Sequence, residues 1–418
     1  MRIFKFGGAS VKDAESVRNI AVILDRFSGE ELLIIVSAMG KTTNALEDLI
    51  RSAYHGLDDS KQLFEEIKAF HLQIVVELFP DPDHEILRLA EELFAQLYDQ
   101  MKAFEGMGFD MFYDQMVSYG ELLSTKLVSC FLNEGGFSNQ WLDARGLVMT
   151  DNSYRAARID WDETGNRIKE NIMPVFNSGK MVITQGFIGG HGDYSTSLGR
   201  EGSDFSAAIF GNILEAEEVV VWKDVPGYLS ADPQHYDDAV KLDKISYTEA
   251  IELAFYGAKI IHPKTIRPLK NKSIPLVVKS FMAPEEKGSV IHEDNSTDGL
   301  VPSSMIKEDQ VLISISSRDV SFIAEGHLHK IFGLFTEHSM GLNMMQNSAI
   351  SFSVCVDHNQ RLEKLLEELQ KEFKVRYNEG LQLLTIRHYD QETINRRTKG
   401  KEILLEQKSR ITAQMIIK

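Results

Sequence analysis

Along roughly the first 280 residues, apolar runs of strand length alternate with stretches whose apolar positions recur at helical spacing. Arg2 to Phe6 reads as a strand, and Ser10-Val11-Lys12-Asp13 has the form of a capped start for a helix running toward Phe27. The run ELLIIVS (31–37) has the length of a buried strand, and the turn AMGKTTN separates it from a helix opening at Asn44. Further strands are predicted near 139–142, 173–176, 181–185, 218–223 and 275–281. A helix is predicted over 114–133, stopped by Gly135-Gly136, and another from the capping pattern Ser246-Tyr247-Thr248-Glu249 through Tyr256. Strands alternating with helices across short Gly/Ser/Thr turns predict an α/β fold whose central sheet is largely parallel and flanked by helices. Residues 58–109 are acidic, rich in Leu, Phe and Glu, and carry no strand signal, so they are expected to form a helical insertion outside the sheet.

The pattern changes beyond this region. Residues 284–305 are polar with Pro, Gly and Ser and read as a linker. After it come a strand (VLISISS), a helix (324–338), a loop or strand at 343–347, a strand (ISFSVCVD), an amphipathic helix (361–373) and two more strands within VRYNEGLQLLTIRHY. That βαββαβ order is ferredoxin-like. From about residue 380 the pattern starts again in shorter form.

Composition narrows the classes. The 418 residues allow two or three domains, and 43% hydrophobic with 26% charged residues is ordinary for a soluble globular protein. A net charge of −17 without any Lys/Arg block argues against nucleic acid as a partner, while leaving room for a locally basic pocket. No apolar run approaches the ~20 residues of a membrane span. The two cysteines, Cys130 and Cys355, lie in apolar runs without metal-ligand spacing, as expected of buried thiols in a reducing cytoplasm. The P-loop, dinucleotide, zinc-protease and nucleophile-elbow patterns are all missing from the sequence.

Candidate chemistry sits in glycine-rich turns that follow strands and precede helices. Lys5-Phe6-Gly7-Gly8-Ala9-Ser10 places a lysine beside bare backbone N–H groups, which suits a phosphate; a plain strand-to-helix turn is the alternative. Ser37 to Asn44 offers small hydroxyls, Thr43 among them, for an anion or for simple capping. Gly186-Phe187 through Gly192 leads on to Leu198-Gly199-Arg200-Glu201-Gly202-Ser203-Asp204, where arginine can clamp a carboxylate and Ser203 can hold its other end. Lys223-Asp224-Val225-Pro226-Gly227, with Asp232-Pro233, can order a nucleotide or merely turn the chain. Glu121 and Lys259 are isolated charges in helical surroundings.

In order, these stretches resemble the aspartokinases of the amino-acid kinase family. KFGGAS is similar to that family's KFGGTS, VSAMGKTTN to its VSA…TN turn, and SYGELLST to its GE-x-x-ST helix. TQGFIGG, LGREGSDFSA, VWKDVPGYLSADP and GAKIIHPKT resemble its TQGF-x-G, LGRGGSD, WTDV-x-G…DP and GAKV-x-HP. The resemblance spans nearly all of residues 1–280. The chain departs from it at Ala9 (Thr in the family), Glu201 (Gly), Lys223 (Thr), Leu229 (often Tyr) and Gln234 (Arg).

The resemblance implies an amino-acid kinase catalytic domain (1–284, with insertion 58–109), a linker (285–305) and an ACT regulatory region (306–418). The first ACT unit would cover about 308–379 and a shortened second one 380–418. It implies ATP-dependent phosphorylation of the L-aspartate side chain to 4-phospho-L-aspartate, the first step toward lysine, threonine and methionine, in the cytoplasm, with ATP and Mg2+. Lys5, Arg200 and Asp204 would be catalytic. Ser37, Thr43, Glu121, Phe187, Arg200 and Ser203 would hold aspartate, and Lys5, Gly7, Gly8, Ser10, Lys223, Asp224, Asp232 and Lys259 would hold ATP, with no metal held by the protein alone. It also implies a homodimer through the ACT domains and an amino-acid effector, lysine or threonine. Asn343 and Ala349 stand where lysine-sensing relatives commonly carry Asp and Glu, which weakens the case for lysine. No dinucleotide-binding domain follows, so no fused homoserine dehydrogenase is expected. A kinase of the same fold for another small acid, or a catalytically inactive ACT-based sensor, are the competing expectations.

Overall fold

The computed structural model describes residues 1–103, 106–319 and 321–418; residues 104 and 105 of the expected helical insertion lie outside them. The chain divides into two compact units, each described separately. The first comprises Met1–Tyr228, Asp243–Tyr247 and Ile261–Asp294; the second comprises Leu229–Leu242, Thr248–Ile260 and Asn295–Lys418.

The first unit opens with β1 (Arg2–Phe6), α1 (Ala14–Asp25), β2 (Leu32–Val36) and α2 (Thr42–Tyr54). The helices α3 (Ser60–Leu78) and α4 (Glu85–Lys102) follow, then the 26-residue α5 (Phe109–Glu134), β3 (Asn139–Trp141), α6 (Trp161–Asn177) and β4 (Met181–Gln185). A hairpin, β5 (Ile188–His191) and β6 (Tyr194–Ser197), leads to α7 (Gly202–Leu214) and β7 (Glu218–Lys223). The two-residue strands β8 (Tyr228–Leu229) and β9 (Lys241–Leu242) precede β10 (Lys244–Ser246) and α8 (Tyr247–Tyr256); of these, β10 with Tyr228 and Tyr247 belongs to the first unit and the rest to the second. The segment closes with α9 (Pro263–Lys270), β11 (Leu276–Ser280) and β12 (Ser289–His292).

Eight strands form one sheet in the order β10-β12-β11-β7-β1-β2-β4-β3, parallel at every pair except β11/β12. β2 is buried at all five residues, as a central parallel strand covered on both faces must be. β1 alternates. Phe4 and Phe6 join α1 and Trp222 in the main apolar cluster, with Phe6 stacked 6.0 Å from Trp222, while Ile3 and Lys5 turn to the other face.

Three expectations for this unit need correction. Asp13, not Ser10, caps α1, accepting from the Ser16 backbone N–H at 2.8 Å, because a single 3-10 turn occupies Gly8–Val11. Residues 173–176 belong to α6 rather than a strand. Ile168, Ile172, Val175 and Phe176 are its buried stripe, and four apolar residues in a row cannot by themselves distinguish the two periods. The expected linker contains β12, whose four residues were too few to stand out in a polar stretch but which pair with both β11 and β10.

The second unit is built on the 14-residue β13 (Ser303–Ser316), α10 (Glu325–Glu337), β14 (Met344–Asn347), β15 (Ser351–Asp357), α11 (Leu362–Glu372) and the 14-residue β16 (Lys374–Arg387). It ends with α12 (Gln391–Arg397), β17 (Ile403–Lys408) and β18 (Thr412–Ile417). Its six-stranded sheet runs β14-β15-β13-β16-β18-β17, with antiparallel neighbours throughout. The two strands expected within 375–389 are one strand, β16, so both halves of this sheet share β13 and β16, which shift register between Lys307 and Gln310. Arg387, at the end of β16, makes a buried bidentate pair with Glu249, at 3.1 Å through Nε and 2.5 Å through Nη2.

Candidate active site

β7, β1, β2 and β4 are adjacent, and their carboxyl ends share one edge of the parallel sheet. From β1 the chain passes to β2 on one side, while β7 lies on the other, so this edge is where the strand order reverses and ligands commonly bind. A cavity of about 610 Å³ opens there, within the usual range for small-molecule sites. Lys5, Ser37, Phe187 and Lys223 reach it from these strands or the turns after them.

Lys5 explains its place in an otherwise apolar strand. It faces α7, is only 7% exposed, and its Nζ lies 2.7 Å from Oδ1 of Asp204 in the first turn of that helix. Lys223, at the end of β7, holds the other carboxylate oxygen at 3.1 Å. Burial pushes the Asp204 carboxyl up, but the Lys5 ammonium, and after it that of Lys223, outweighs burial and holds it below its ordinary value. The glycines after β1 are there for space. A Cβ on Gly7 would stand 3.3 Å from Lys5 Nζ, and one on Gly8 would stand 2.6 Å from the Gly40 carbonyl oxygen. The first two glycine turns therefore pack backbone against backbone, and the Gly40 N–H donates to the Gly8 carbonyl at 3.0 Å.

Glu121 enters from α5. That helix buries an unusual set of polar side chains, and most have partners. Gln115 exchanges two hydrogen bonds with the Ser195 backbone, Ser124 donates to the Ser37 carbonyl at 2.7 Å, and Thr125 meets Gln185 and Trp141. Glu121 is the exception. Its Oε2 is buried without a hydrogen-bond partner, and burial pushes its carboxyl up to about 8, with backbone amides and the more distant Lys5 pulling weakly against that. An unsatisfied buried carboxylate oxygen facing a cavity is what a site for a cationic group looks like before the ligand arrives.

The glycine loop and α7 form the opposite wall. Phe187 is left-handed (φ 68°) and its backbone N–H donates to Ser206 at 2.9 Å. A Cβ on Gly186 would overlap Ser203, and one on Gly202 would overlap Phe187, so both glycines permit the close approach that brings Ser203 to the cavity. Glu201, at the N-cap of α7, is also left-handed (φ 54°). This is the position where the resembled motif has glycine, and the backbone supplies the reason. Arg200 lines the cavity with its side chain exposed to solvent.

Ten of the expected site residues line this one cavity: Lys5, Gly8, Ser37, Thr43, Glu121, Phe187, Arg200, Ser203, Asp204 and Lys223. Gly7, Ser10 and Asp224 do not line it. Gly7 lies beside the Lys5 ammonium, Ser10 is buried with its hydroxyl 3.5 Å from the Trp222 carbonyl, and Asp224 is exposed. Asp232 and Lys259 belong to the second unit, where both are exposed. The structure adds Lys41, Glu47, Tyr113, Arg155 and Ser197 to the lining. Lys41 is in a turn already singled out. Tyr113 donates to Glu47 at 2.6 Å, and Asp114 accepts from the backbones of Arg155 and Ser197 at 2.9 and 2.7 Å. These contacts join residues 41 to 83 positions apart, and nothing local in the sequence marks them. The lining carries the cations Lys5, Lys41, Arg155, Arg200 and Lys223 against the acids Glu47, Glu121, Glu201 and Asp204. In a chain of net charge −17 that local balance favours anions.

The sequence pattern of the amino acid kinase family matches residues 1–280. Chloroplastic aspartokinase 1 of Arabidopsis thaliana is 30% identical over 404 residues, covering 92% of this chain and 70% of that protein. Lysine-sensitive aspartokinase 3 of Escherichia coli K12 is 29% identical over 398 residues, covering 92% and 86%. The chain spans 42% of the length of a bifunctional aspartokinase/homoserine dehydrogenase from Arabidopsis. The solved structure of E. coli aspartokinase III with aspartate and ADP superimposes with a TM-score of 0.82 at 26% identity, covering 100% of this chain and 96% of that one.

Proposed function

The chain belongs to the amino acid kinase family and is an aspartokinase, and on that premise we propose how its cavity divides the work of moving a phosphoryl group from ATP to the aspartate carboxylate. The observation that carries this reading is Asp204 held between Lys5 and Lys223 in the same cavity as the unpartnered Glu121. Glu121 takes the substrate ammonium and Arg200 the α-carboxylate, with Ser37, Thr43, Phe187 and Ser203 fixing the remainder. Lys5 and Lys223 face the transferring phosphoryl group. The Gly7-Gly8 turn lies beside the phosphates, and Asp224 toward the rest of the nucleotide.

The substrate side chain is already an anion at neutral pH, so no general base is required. A carboxylate oxygen forms the new bond to the γ-phosphorus, the bond from that phosphorus to its bridging oxygen breaks, and ADP leaves with the electron pair. What the protein supplies is alignment and neutralisation of two anions that otherwise repel. Asp204 keeps two ammonium groups ordered in a buried place, aimed where charge builds up. Both its oxygens are engaged by lysines, so its charge is matched within the protein. Mg2+ bound with ATP would neutralise charge on the phosphates. Residues 1–284 form the catalytic part on this reading, and residues 306–418 the ACT region through which the chain pairs and senses an amino acid, in the cytoplasm. No helix among the described residues is long and apolar enough to cross a membrane.

Trapping the acyl phosphate with hydroxylamine tests the activity. Incubation with aspartate and Mg-ATP is expected to give aspartyl hydroxamate and ADP in equal amounts. ADP release with glutamate, N-acetylglutamate or carbamate but not aspartate would replace the substrate, and nucleotide binding without any turnover would favour the sensor.

A further inference from the structure

His71 lies in α3, in the helical segment that adds no strand to the sheet, and is 0% exposed. Its Nδ1 is 2.7 Å from the Ile67 carbonyl oxygen and its Nε2 is 3.2 Å from Oγ1 of Thr42. Thr42 is the first residue of α2, and its hydroxyl is also 2.6 Å from the Met39 carbonyl oxygen. Its neighbours Gly40, Lys41, Thr43 and Asn44 line the active-site cavity, and its methyl group packs beside Gly120, next to Glu121.

Counting protons makes this chain unusual. A carbonyl only accepts, so Nδ1 carries the ring hydrogen. Burial pushes the imidazole down to about 4, so the ring is neutral near pH 7 and Nε2 is a bare acceptor. The Thr42 hydroxyl thus has one hydrogen and two acceptors, the Met39 carbonyl of the cavity loop and the ring of α3. Residues from α2, α4 and α5 pack around the ring, and the other titratable side chain in that lining is Tyr119.

We propose that His71 and Thr42 are positioning residues for the cavity segment 39–44, the turn into α2 and the first residues of that helix, the single hydroxyl proton being shared between the Met39 carbonyl and α3 so that the helical insertion holds the segment in its binding geometry. Neither side chain lines the cavity. The pair acts through Lys41, Thr43 and Asn44, which flank Thr42 in the chain. The proposal builds on the reading of the cavity as the aspartate site.

Thr42→Val keeps the volume and removes the hydroxyl, Thr42→Ser restores it, and His71→Leu removes the ring acceptor. At saturating ATP, Thr42→Val and His71→Leu are each expected to raise the aspartate KM by about 3- to 10-fold, the range one net hydrogen bond supports, with kcat within about twofold. Thr42→Ser is expected near wild type. Because the two residues share one interaction, the double variant should be no worse than the poorer single one. Wild-type KM in both single variants, or additive effects in the double variant, overturns the proposal. Hydrogen exchange of the amides of residues 40–44 gives a readout independent of turnover. Faster exchange in Thr42→Val than in Thr42→Ser supports the pair even if the wild-type protein forms no hydroxamate, a result that would refute only the functional reading. Equal exchange refutes the pair.

Discussion

Asp204 and Glu121 stand on different helices, are 3% and 2% exposed, and line the same cavity, yet they are held in opposite states. Asp204 touches two lysines and is kept ionised below its ordinary range; Glu121 has one oxygen without a partner and is pushed up to about 8. Burial is common to both, so burial does not separate them. The partner charge does. One carboxylate is finished within the protein and serves to hold cations; the other is left incomplete, and on the reading above the substrate ammonium completes it.

Removing Lys5 breaks the finished side and has the largest expected effect. Lys5→Ala is expected to lower kcat by about 10²–10³-fold, as for loss of one preorganised donor to the transition state. The Asp204 carboxyl should also move up, since its nearest cation is gone. Single-turnover hydroxamate formation checks the rate, and a cooperative melt checks that the fold remains. Turnover near wild type would take Lys5 out of the chemistry.

Glu121→Gln breaks the unfinished side. The aspartate KM is expected to rise by about 10- to 100-fold, the 1.5–3 kcal/mol of a charge-assisted hydrogen bond. In the wild-type protein, aspartate affinity should improve as pH rises toward 8, when Glu121 ionises; the variant should lose that dependence. Stability without ligand runs the other way. The native carboxyl stays protonated up to about 8 while the unfolded one ionises near 4.5, so the wild-type protein loses stability as pH rises from 4.5 to 8. Glu121→Gln should flatten that slope in urea titrations at several pH values, and equal slopes would mean that Glu121 is ionised in the free protein.

The two carboxylates also differ in how they could be read from the chain. Asp204 and Lys5 each sit in a glycine-flanked turn at a strand or helix end, and such turns are local, so the sequence marks both. That Lys5 meets Asp204 beside Lys223 depends on β7 pairing with β1, and α7 covering them, and both the strand pairing and the Lys5–Asp204 contact join residues about 200 apart. Glu121 was visible as a charge in an apolar helix, but its missing partner is visible only when the partners of Gln115, Ser124 and Thr125 are known. Arg155 left no trace, because its backbone N–H, which any residue provides, makes its tie to Asp114, and the Ser197 hydroxyl that donates to Asp114 comes from 83 positions away. The same limit applied to the fold. The long alternation of elements was legible, while β12 and the end of α6 were decided by pairing and burial that short apolar runs do not encode.

Lys223 sharpens the finished side, since the resembled motif has threonine there. Its side chain is 22% exposed against 9% for Lys5, so water screens more of its charge. Lys223→Thr should leave Asp204 held by Lys5 and lower kcat by only about 3- to 10-fold, some 1 kcal/mol. A loss as large as that of Lys5→Ala would make the two lysines equal partners.

Glu201 offers the smallest and most discriminating change. It is a third carboxylate in the lining, with Oε2 buried and unpartnered like that of Glu121, but on a left-handed backbone at the head of α7. Two costs therefore coincide at one residue, an incomplete carboxylate and a conformation that suits glycine. Glu201→Gly removes both, while the extra freedom of glycine in the unfolded chain takes back about 0.5–1 kcal/mol. The expected net effect is a gain in stability of up to about 1 kcal/mol with aspartate KM unchanged within twofold, measured by denaturant unfolding and hydroxamate kinetics. A rise in KM comparable to that of Glu121→Gln would place Glu201 with Glu121 as a second carboxylate waiting for the substrate. An unchanged KM leaves Glu121 as the group whose missing partner is the ligand.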